Sequence, residues 1–168
     1  VALCFQAEEG IRGYDVTGVQ TWGLPICEGA HVSEILQRPA PRPTRNSAFF
    51  WEGCRRGVLL GQRCGACGVF RHPPRPMCPE CQSLEREEVE LSGRATLYSW
   101  AKPVHPRLPM FEAGTLVALV ELEEGIRMLS NLCEIEESAI EIGMPLEVFF
   151  VETADDGAVH QFRPLKDR

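Results

Sequence analysis

Two pairs of cysteines constrain the fold of this chain more than any other feature. Cys64 and Cys67 form one C-x-x-C pair, and Cys78 and Cys81 form a second pair ten residues further on. A two-residue spacer lets both sulfurs of a pair reach one ion from a tight turn, and two such turns at the ends of a hairpin complete a tetrahedral site. The pattern predicts a structural zinc ribbon, with a single rubredoxin-type iron or disulfides as the alternatives.

All four predicted ligands come from the protein, so such a zinc ion has no open position for a catalytic water and stabilises the fold instead. His72 lies between the two pairs, and because four thiolates already satisfy the metal, we expect it to be exposed. The single cysteines Cys27, Cys54 and Cys133 are predicted to be buried or inert thiols.

The first 26 residues are interpreted as an artefactual or disordered leader. The segment 6–26 shows neither helical nor strand periodicity. It resembles the conceptual translation of a sequencing-library adapter, QAEDGIR followed by VTGVQTCALPI, and such segments are set aside in fold prediction.

Residues 27–60 read as a helical and proline-rich N-terminal segment. Apolar spacing predicts a short helix over 29–37, and the alternate prolines of 38–43 then favour an extended connector. A second helix is expected over 48–56, with Asn46-Ser47 as its N-cap and Gly57 closing it.

Three consecutive aromatic residues cannot all lie on one face of this second helix. Phe50 and Cys54, four residues apart, are predicted to pack on the core. Phe49 and Trp51 would then cover the linker, or alternatively dock against another protein.

Strand patterns dominate the rest of the chain. We assign residues 61–85 to the zinc ribbon and 86–168 to a barrel, because about five short strands separated by turns follow Gly93. The predicted strands are 94–100, 115–122, 127–133, 146–151 and 159–162. This count fits a five-stranded OB-fold barrel, with an open sandwich as the runner-up, so the chain is predicted to be mainly β.

Composition excludes several classes of protein. Seventeen basic and 24 acidic residues give a net charge of -7, which argues against a surface that binds nucleic acid throughout. No stretch approaches eighteen consecutive apolar residues, and the chain opening lacks the basic start of a secretion signal. We therefore expect a cytoplasmic protein with no membrane association.

Charge is distributed unevenly along the chain. Residues 53–76 carry five arginines and no acid, whereas residues 121–141 carry seven glutamates against Arg127. Arg71 and Arg75 flank the loop His72-Pro73-Pro74 and are candidates to contact phosphate groups or an acidic partner, because guanidinium suits bidentate phosphate contact.

No catalytic motif is present, and each of the four histidines stands alone in the sequence, so no catalytic residue is assigned.

From about Phe49 to Pro164 the chain resembles a family once catalogued as a domain of unknown function. Its members join N-terminal helices, a rubredoxin-like zinc ribbon and a C-terminal OB-fold. The resemblance implies a non-catalytic or co-catalytic accessory subunit of thiolase-like enzymes that handle acyl-coenzyme A, such as thiolase-fold aldolases of steroid breakdown and acetoacetyl-CoA-type condensing systems. The matching stretches are 50–53, 57–60, 62–68, 73–81, 92–94, 98–100, 120–125, 142–145 and 162–164.

Three functions follow as hypotheses. The first is an accessory subunit of a thiolase-fold enzyme that also contacts a coenzyme A thioester, with Arg71, Arg75, Phe49 and Trp51 as candidate contacts. The second is a nucleic-acid binder, because zinc ribbons and OB barrels both serve that role, although the barrel segment is acid-rich. The third is a free-standing redox or metal protein.

Overall fold

The computed structural model describes residues 38–105 and 114–166. The predicted leader 1–26 and the predicted helix 29–37 lie outside these residues. The regular elements are α1 Ala48–Arg55, β1 Leu60–Cys64, β2 Phe70–Arg71, β3 Arg86–Glu90, β4 Arg94–Ala101, β5 Leu116–Leu122, β6 Arg127–Leu132, a 3-10 turn Glu137–Ala139, β7 Pro145–Glu152 and β8 Ala158–Pro164. None of the helices in the described part of the chain has the length and apolar character needed to cross a membrane.

Helix α1 forms where the sequence predicts it. Gly57 has a φ of 72°, and the Val58 N–H donates to the Gly53 carbonyl at 2.9 Å, so glycine ends the helix as expected. Ser47 occupies the N-cap position, but its hydroxyl accepts a hydrogen bond from the Thr44 N–H at 3.0 Å and caps no helical N–H. Phe50 and Cys54 are buried in the core, which confirms the predicted inward face.

The ribbon is a three-stranded antiparallel sheet in the order β2-β1-β3. β3 pairs with β1 along its whole length, from Leu60 opposite Glu90 to Cys64 opposite Arg86. The ribbon sheet therefore extends to Glu90. The division of the chain into a ribbon domain that ends at residue 85 and a barrel domain that begins at residue 86 stays a prediction. A Cβ on Gly61 would lie 2.7 Å from the Leu91 side chain, so glycine at 61 allows the close packing of Leu91 on this strand.

The other five strands form a closed barrel in the order β4-β5-β6-β8-β7, as expected for an OB-fold rather than an open sandwich. β6 and β8 close it as a parallel pair at Leu132 and Phe162, and the Cys133 N–H donates to the Phe162 carbonyl at 2.9 Å. β5 alternates strictly between buried and half-buried residues. The largest fully buried side chains of the barrel are Phe162, Leu97, Met128, Leu146 and Val120.

The proline-rich connector forms no helix, as predicted, and it lies on the barrel. The Arg38 carbonyl accepts a hydrogen bond from the Ala154 N–H at 3.0 Å, and its Nη1 donates to Asn131 Oδ1 at 2.8 Å. A Cβ on Gly157 would lie 2.7 Å from the Ala40 Cβ, so the connector contacts the β7–β8 turn directly.

Replacing Phe162 with alanine should destabilise the barrel. Phe162 is fully buried where β6 and β8 meet, so Phe162→Ala leaves a cavity and should lower the free energy of unfolding by about 3–5 kcal/mol. Urea denaturation measures this loss. Phe149→Ala, at a partly exposed position on β7, is the matched control and should cost clearly less; equal losses would contradict the assigned core.

Candidate metal centre and adjoining surface

Four cysteine sulfurs meet at one end of the ribbon. The first pair lies at the end of β1 and in the turn that follows it, and the second pair lies in the loop between β2 and β3. All four Sγ atoms lie within 4.8 Å of one another, and the Cys64–Cys81 and Cys67–Cys78 Sγ separations are 3.6 and 3.5 Å.

These separations fit a shared metal ion. A sulfur-ion distance of about 2.3 Å in a tetrahedron places neighbouring sulfurs about 3.8 Å apart, whereas a disulfide requires about 2.05 Å. The four cysteines of this cluster form no disulfide with one another. The disulfide alternative is therefore not adopted, and the four predicted ligands do come together.

Backbone geometry prepares the thiols for metal binding. In the first turn the Gly68 N–H donates to the Cys64 carbonyl at 2.9 Å, with Gly68 at a φ of 75°. A hydrogen bond from the Cys67 N–H lowers the pKa of the Cys64 thiol to about 6, and one from the Cys81 N–H lowers the pKa of the Cys78 thiol. Thiolate is the form that binds metal, so these bonds favour the binding state of Cys64 and Cys78. The pKa of Cys67 is raised to about 12 instead: a hydrogen bond from the Val69 N–H lowers it, but the contacts with the other three cysteine sulfurs, that of Cys81 foremost, and desolvation together outweigh that effect.

Arg71 does not lie on the surface. Its side chain is 3% exposed; Nη2 donates to the Glu85 carbonyl at 3.1 Å, while Nε and Nη1 have no hydrogen-bond partner. Arg75, by contrast, is exposed. The sequence predicts the same surface contact for both arginines, but only Arg75 is exposed, because β2 directs the Arg71 side chain into the interior.

The position of Arg75 depends on Gln62, a residue that the sequence analysis missed. Gln62 is 1% exposed, and its amide group pairs with the Arg75 backbone: Nε2 donates to the Arg75 carbonyl at 2.9 Å and Oε1 accepts from the Arg75 N–H at 2.8 Å. Gln62 lies between Gly61 and Arg63 on β1, and no local pattern in the sequence marks it as buried.

A cavity of about 320 Å³ adjoins this loop. The ribbon contributes one wall and the β5–β6 turn of the barrel contributes the other. The lining residues are Phe70, Arg71, His72, Arg75, Pro79, Gly125, Ile126 and Arg127.

His72 and His160 both pack against the Phe50 ring. This corrects the expectations that His72 is exposed and that each histidine stands alone. The His72 ring centroid lies 5.6 Å from that of Phe50 and the His160 centroid lies 5.2 Å from it. His72 is thus half-buried rather than exposed, because the loop after β2 folds against α1. His72 and His160, solitary in the sequence, share one aromatic neighbour in the fold.

Burial keeps His160 neutral. Both of its ring nitrogens are shielded and have no hydrogen-bond partner. Burial, together with the nearby His72, lowers its pKa from 6.5 to about 4. Burial likewise raises the pKa of the Cys54 thiol to about 12, which confirms it as inert; the Cys133 thiol donates to Gln161 Oε1 at 3.2 Å.

Phe49 and Trp51 both pack in part against the core. The Trp51 ring meets Phe50 edge-on at 5.0 Å and lies 6.1 Å from His160. Each side chain also keeps an accessible part, so core packing and a surface contact coexist in both residues.

Comparison with known proteins places this architecture in a family. Residues 51–85 match the model described as "ChsH2, rubredoxin-like zinc ribbon domain", and residues 88–151 match "ChsH2, C-terminal OB-fold domain". A "DUF35 domain-containing scaffold protein" of Methanocaldococcus jannaschii is 35% identical over 121 residues, which cover 67% of this chain and 85% of the relative. The chain belongs to the DUF35 family.

Other relatives are parts of acyl-CoA enzymes. A "Probable enoyl-CoA hydratase alpha subunit" of Thermomonospora curvata is 39% identical over 89% of this chain, which spans 49% of that subunit's length. "Benzoylsuccinyl-CoA thiolase subunit BbsA" of Thauera aromatica is 32% identical over 46% of this chain and 54% of BbsA. A chain in a solved structure titled "Ltp2-ChsH2(DUF35) aldolase" is 42% identical with a TM-score of 0.70, covering 74% of this chain and 98% of that chain.

Cys81→Ser should abolish stable metal binding. The substitution removes one of four ligands, and the ion's contribution to folding is lost with it. Elemental analysis of protein purified without chelator should fall from one ion per chain to well below one. Cys133→Ser removes a thiol outside the cluster and should leave the metal content unchanged; a metal content unaffected by Cys81→Ser would refute the site.

Stability should fall in mild acid because of His160. Its folded pKa of about 4 lies below its ordinary 6.5, so the unfolded chain binds the proton more readily. Stability is fully present above pH 6.5 and is lost as the pH falls from 6.5 towards 4, by up to about 1.4 kcal/mol per pH unit. Chemical denaturation at several pH values in this range gives the free energy of unfolding, and this free energy should fall less steeply with decreasing pH in His160→Phe than in the wild type. The exposed His105→Gln serves as control, and identical slopes in wild type and His160→Phe would exclude this origin.

Proposed function

We propose that this protein is an accessory subunit of a thiolase-fold enzyme that acts on acyl-coenzyme A, and that it is not catalytic by itself. The match to the chain of the Ltp2-ChsH2(DUF35) aldolase carries the proposal, because it extends over 98% of that chain at 42% identity. BbsA supports the same role, since its name makes it a subunit of a thiolase.

We propose zinc as the resident metal and a structural role for it. Four thiolates in a tetrahedral arrangement are the donor set of structural zinc sites, and they leave no position for a substrate or water. Zinc supplies no chemistry to the reaction here; it holds the two loops of the ribbon together. Rubredoxin-type iron remains the alternative, and its visible thiolate–iron colour distinguishes it.

In the proposed complex, two parts of the chain serve the partner. The accessible parts of Phe49 and Trp51 contribute apolar contact area at the partner interface. Arg71 and Arg75 both serve the coenzyme A thioester. The exposed guanidinium of Arg75 contacts it directly, and the buried guanidinium of Arg71 attracts it through the positive charge that it places at the base of the cavity. The complex is proposed to be cytoplasmic.

A hydratase is a second candidate partner class. The Thermomonospora curvata relative matches 89% of this chain and is named as a hydratase alpha subunit. This observation favours a second role, in which this chain corresponds to part of a hydratase alpha subunit and assembles with the other hydratase subunits. A nucleic-acid role has less support, because the barrel strands and their connections carry an excess of glutamates.

Affinity purification from the source cell tests the assignment. The gene is tagged at its chromosomal locus, the complex is purified at low and high salt, and its members are identified by mass spectrometry and assayed for thiolase, aldolase and hydratase activity. A stoichiometric thiolase-fold enzyme supports the first proposal. A hydratase subunit in its place supports the second, and recovery of the protein with no acyl-CoA enzyme would contradict both.

A further inference from the structure

The cavity between ribbon and barrel has an unusual lining. Three of its lining residues are arginines, Arg71 and Arg75 from the ribbon and Arg127 from the barrel, and none of the lining residues in the described part of the chain is acidic. The chain as a whole has a net charge of -7, so this concentration of positive charge runs against the average surface. Clefts lined by one sign of charge attract ligands of the opposite sign.

Arg71 supplies a buried positive charge beneath the cavity. The ion pairs of the described residues do not include Arg71, and its Nε and Nη1 have no acceptor. A buried guanidinium without a counter-charge is unfavourable, and an anion in the adjacent cavity relieves that cost. The arrangement therefore points to a ligand rather than to stability alone.

The other two arginines are held in place by neighbours. The Gln62 amide fixes the Arg75 backbone through two hydrogen bonds. Arg127 lies over the Tyr98 ring, with its Cζ 3.7 Å from the ring centroid, and its Nε donates to Glu121 Oε2 at 2.8 Å. The bond to Glu121 uses Nε, and the guanidinium also interacts with Tyr98, so both neighbours hold the Arg127 side chain at the rim of the cavity. The restrained Arg127 side chain loses less entropy on binding an anion, and the fixed Arg75 backbone limits the region that the Arg75 side chain explores.

We propose that this cavity binds a phosphate group of a small molecule. Arg75 and Arg127 donate to the phosphate oxygens, and Arg71 strengthens the positive field from below. Phe70, Pro79 and Ile126 line the same cavity and offer apolar contact to the uncharged part of the ligand. The proposal deepens the coenzyme A contact of the proposed function and adds Arg127, a barrel residue, to the contacts predicted from the sequence.

Isothermal titration calorimetry of the purified full chain tests the site without any partner enzyme. The probes are inorganic pyrophosphate and adenosine 3′,5′-bisphosphate, each titrated at low and moderate salt. Arg75→Gln and Arg127→Gln should each weaken binding about tenfold, the usual value of a charge-assisted hydrogen-bonded contact. Arg94→Gln removes the same charge from an exposed barrel position outside the cavity and should leave binding unchanged.

The two probes separate the sources of phosphate. Equal affinity for both assigns a site for phosphate groups alone, and at least tenfold tighter binding of the nucleotide assigns a nucleotide-type ligand; both support the cavity as a phosphate site. No binding of either probe at millimolar concentration, or equal loss in Arg94→Gln and Arg127→Gln, would overturn the proposal. Because the assay uses the chain alone, the absence of a co-purifying acyl-CoA enzyme would leave its outcome unaffected.

Discussion

The meeting of four cysteine sulfurs is the constraint on which the ribbon depends. Its sheet has three strands, one of them only two residues long, and its β3 edge is largely exposed. So small a sheet buries too little apolar surface to order itself. In the proposed zinc-bound state a shared ion would replace the missing core. The loop that carries His72, Pro73, Pro74 and Arg75 lies between the two cysteine turns.

Helix α1 connects this ribbon to the barrel. It contacts β1 on one side and β7 and β8 on the other. Phe50 lies at the centre of that contact, with an imidazole from the ribbon loop and one from the barrel packed around its ring. Ribbon and barrel are thus joined by aromatic packing, and the cavity at their junction is bounded by both.

Period and spacing account for what the sequence could predict. The ligand set follows from C-x-x-C spacing, the barrel from the number of short strands separated by turns, and the end of α1 from Gly57, because each is a local pattern. The burial of Arg71, the pairing of His72 with His160 and the part played by Arg127 were not predictable. Each of them depends on which distant strand a residue faces, and local pattern carries no information about that.

The amide of Gln62 has a consequence for how the ribbon tolerates change. Pro73 and Pro74 lack the backbone N–H groups that would continue the pairing of β2 with β1 beyond Arg71. The Gln62 side chain takes the place of a strand neighbour, because its amide exchanges two hydrogen bonds with the N–H and C=O of one residue, as a residue of an antiparallel strand does. Glutamate has the same length but would face a carbonyl oxygen with a second acceptor. The conformation of this proline-rich loop therefore depends on Gln62, which lies thirteen positions before Arg75 in the sequence. A substitution at Gln62 would change the loop conformation without any change in the loop sequence.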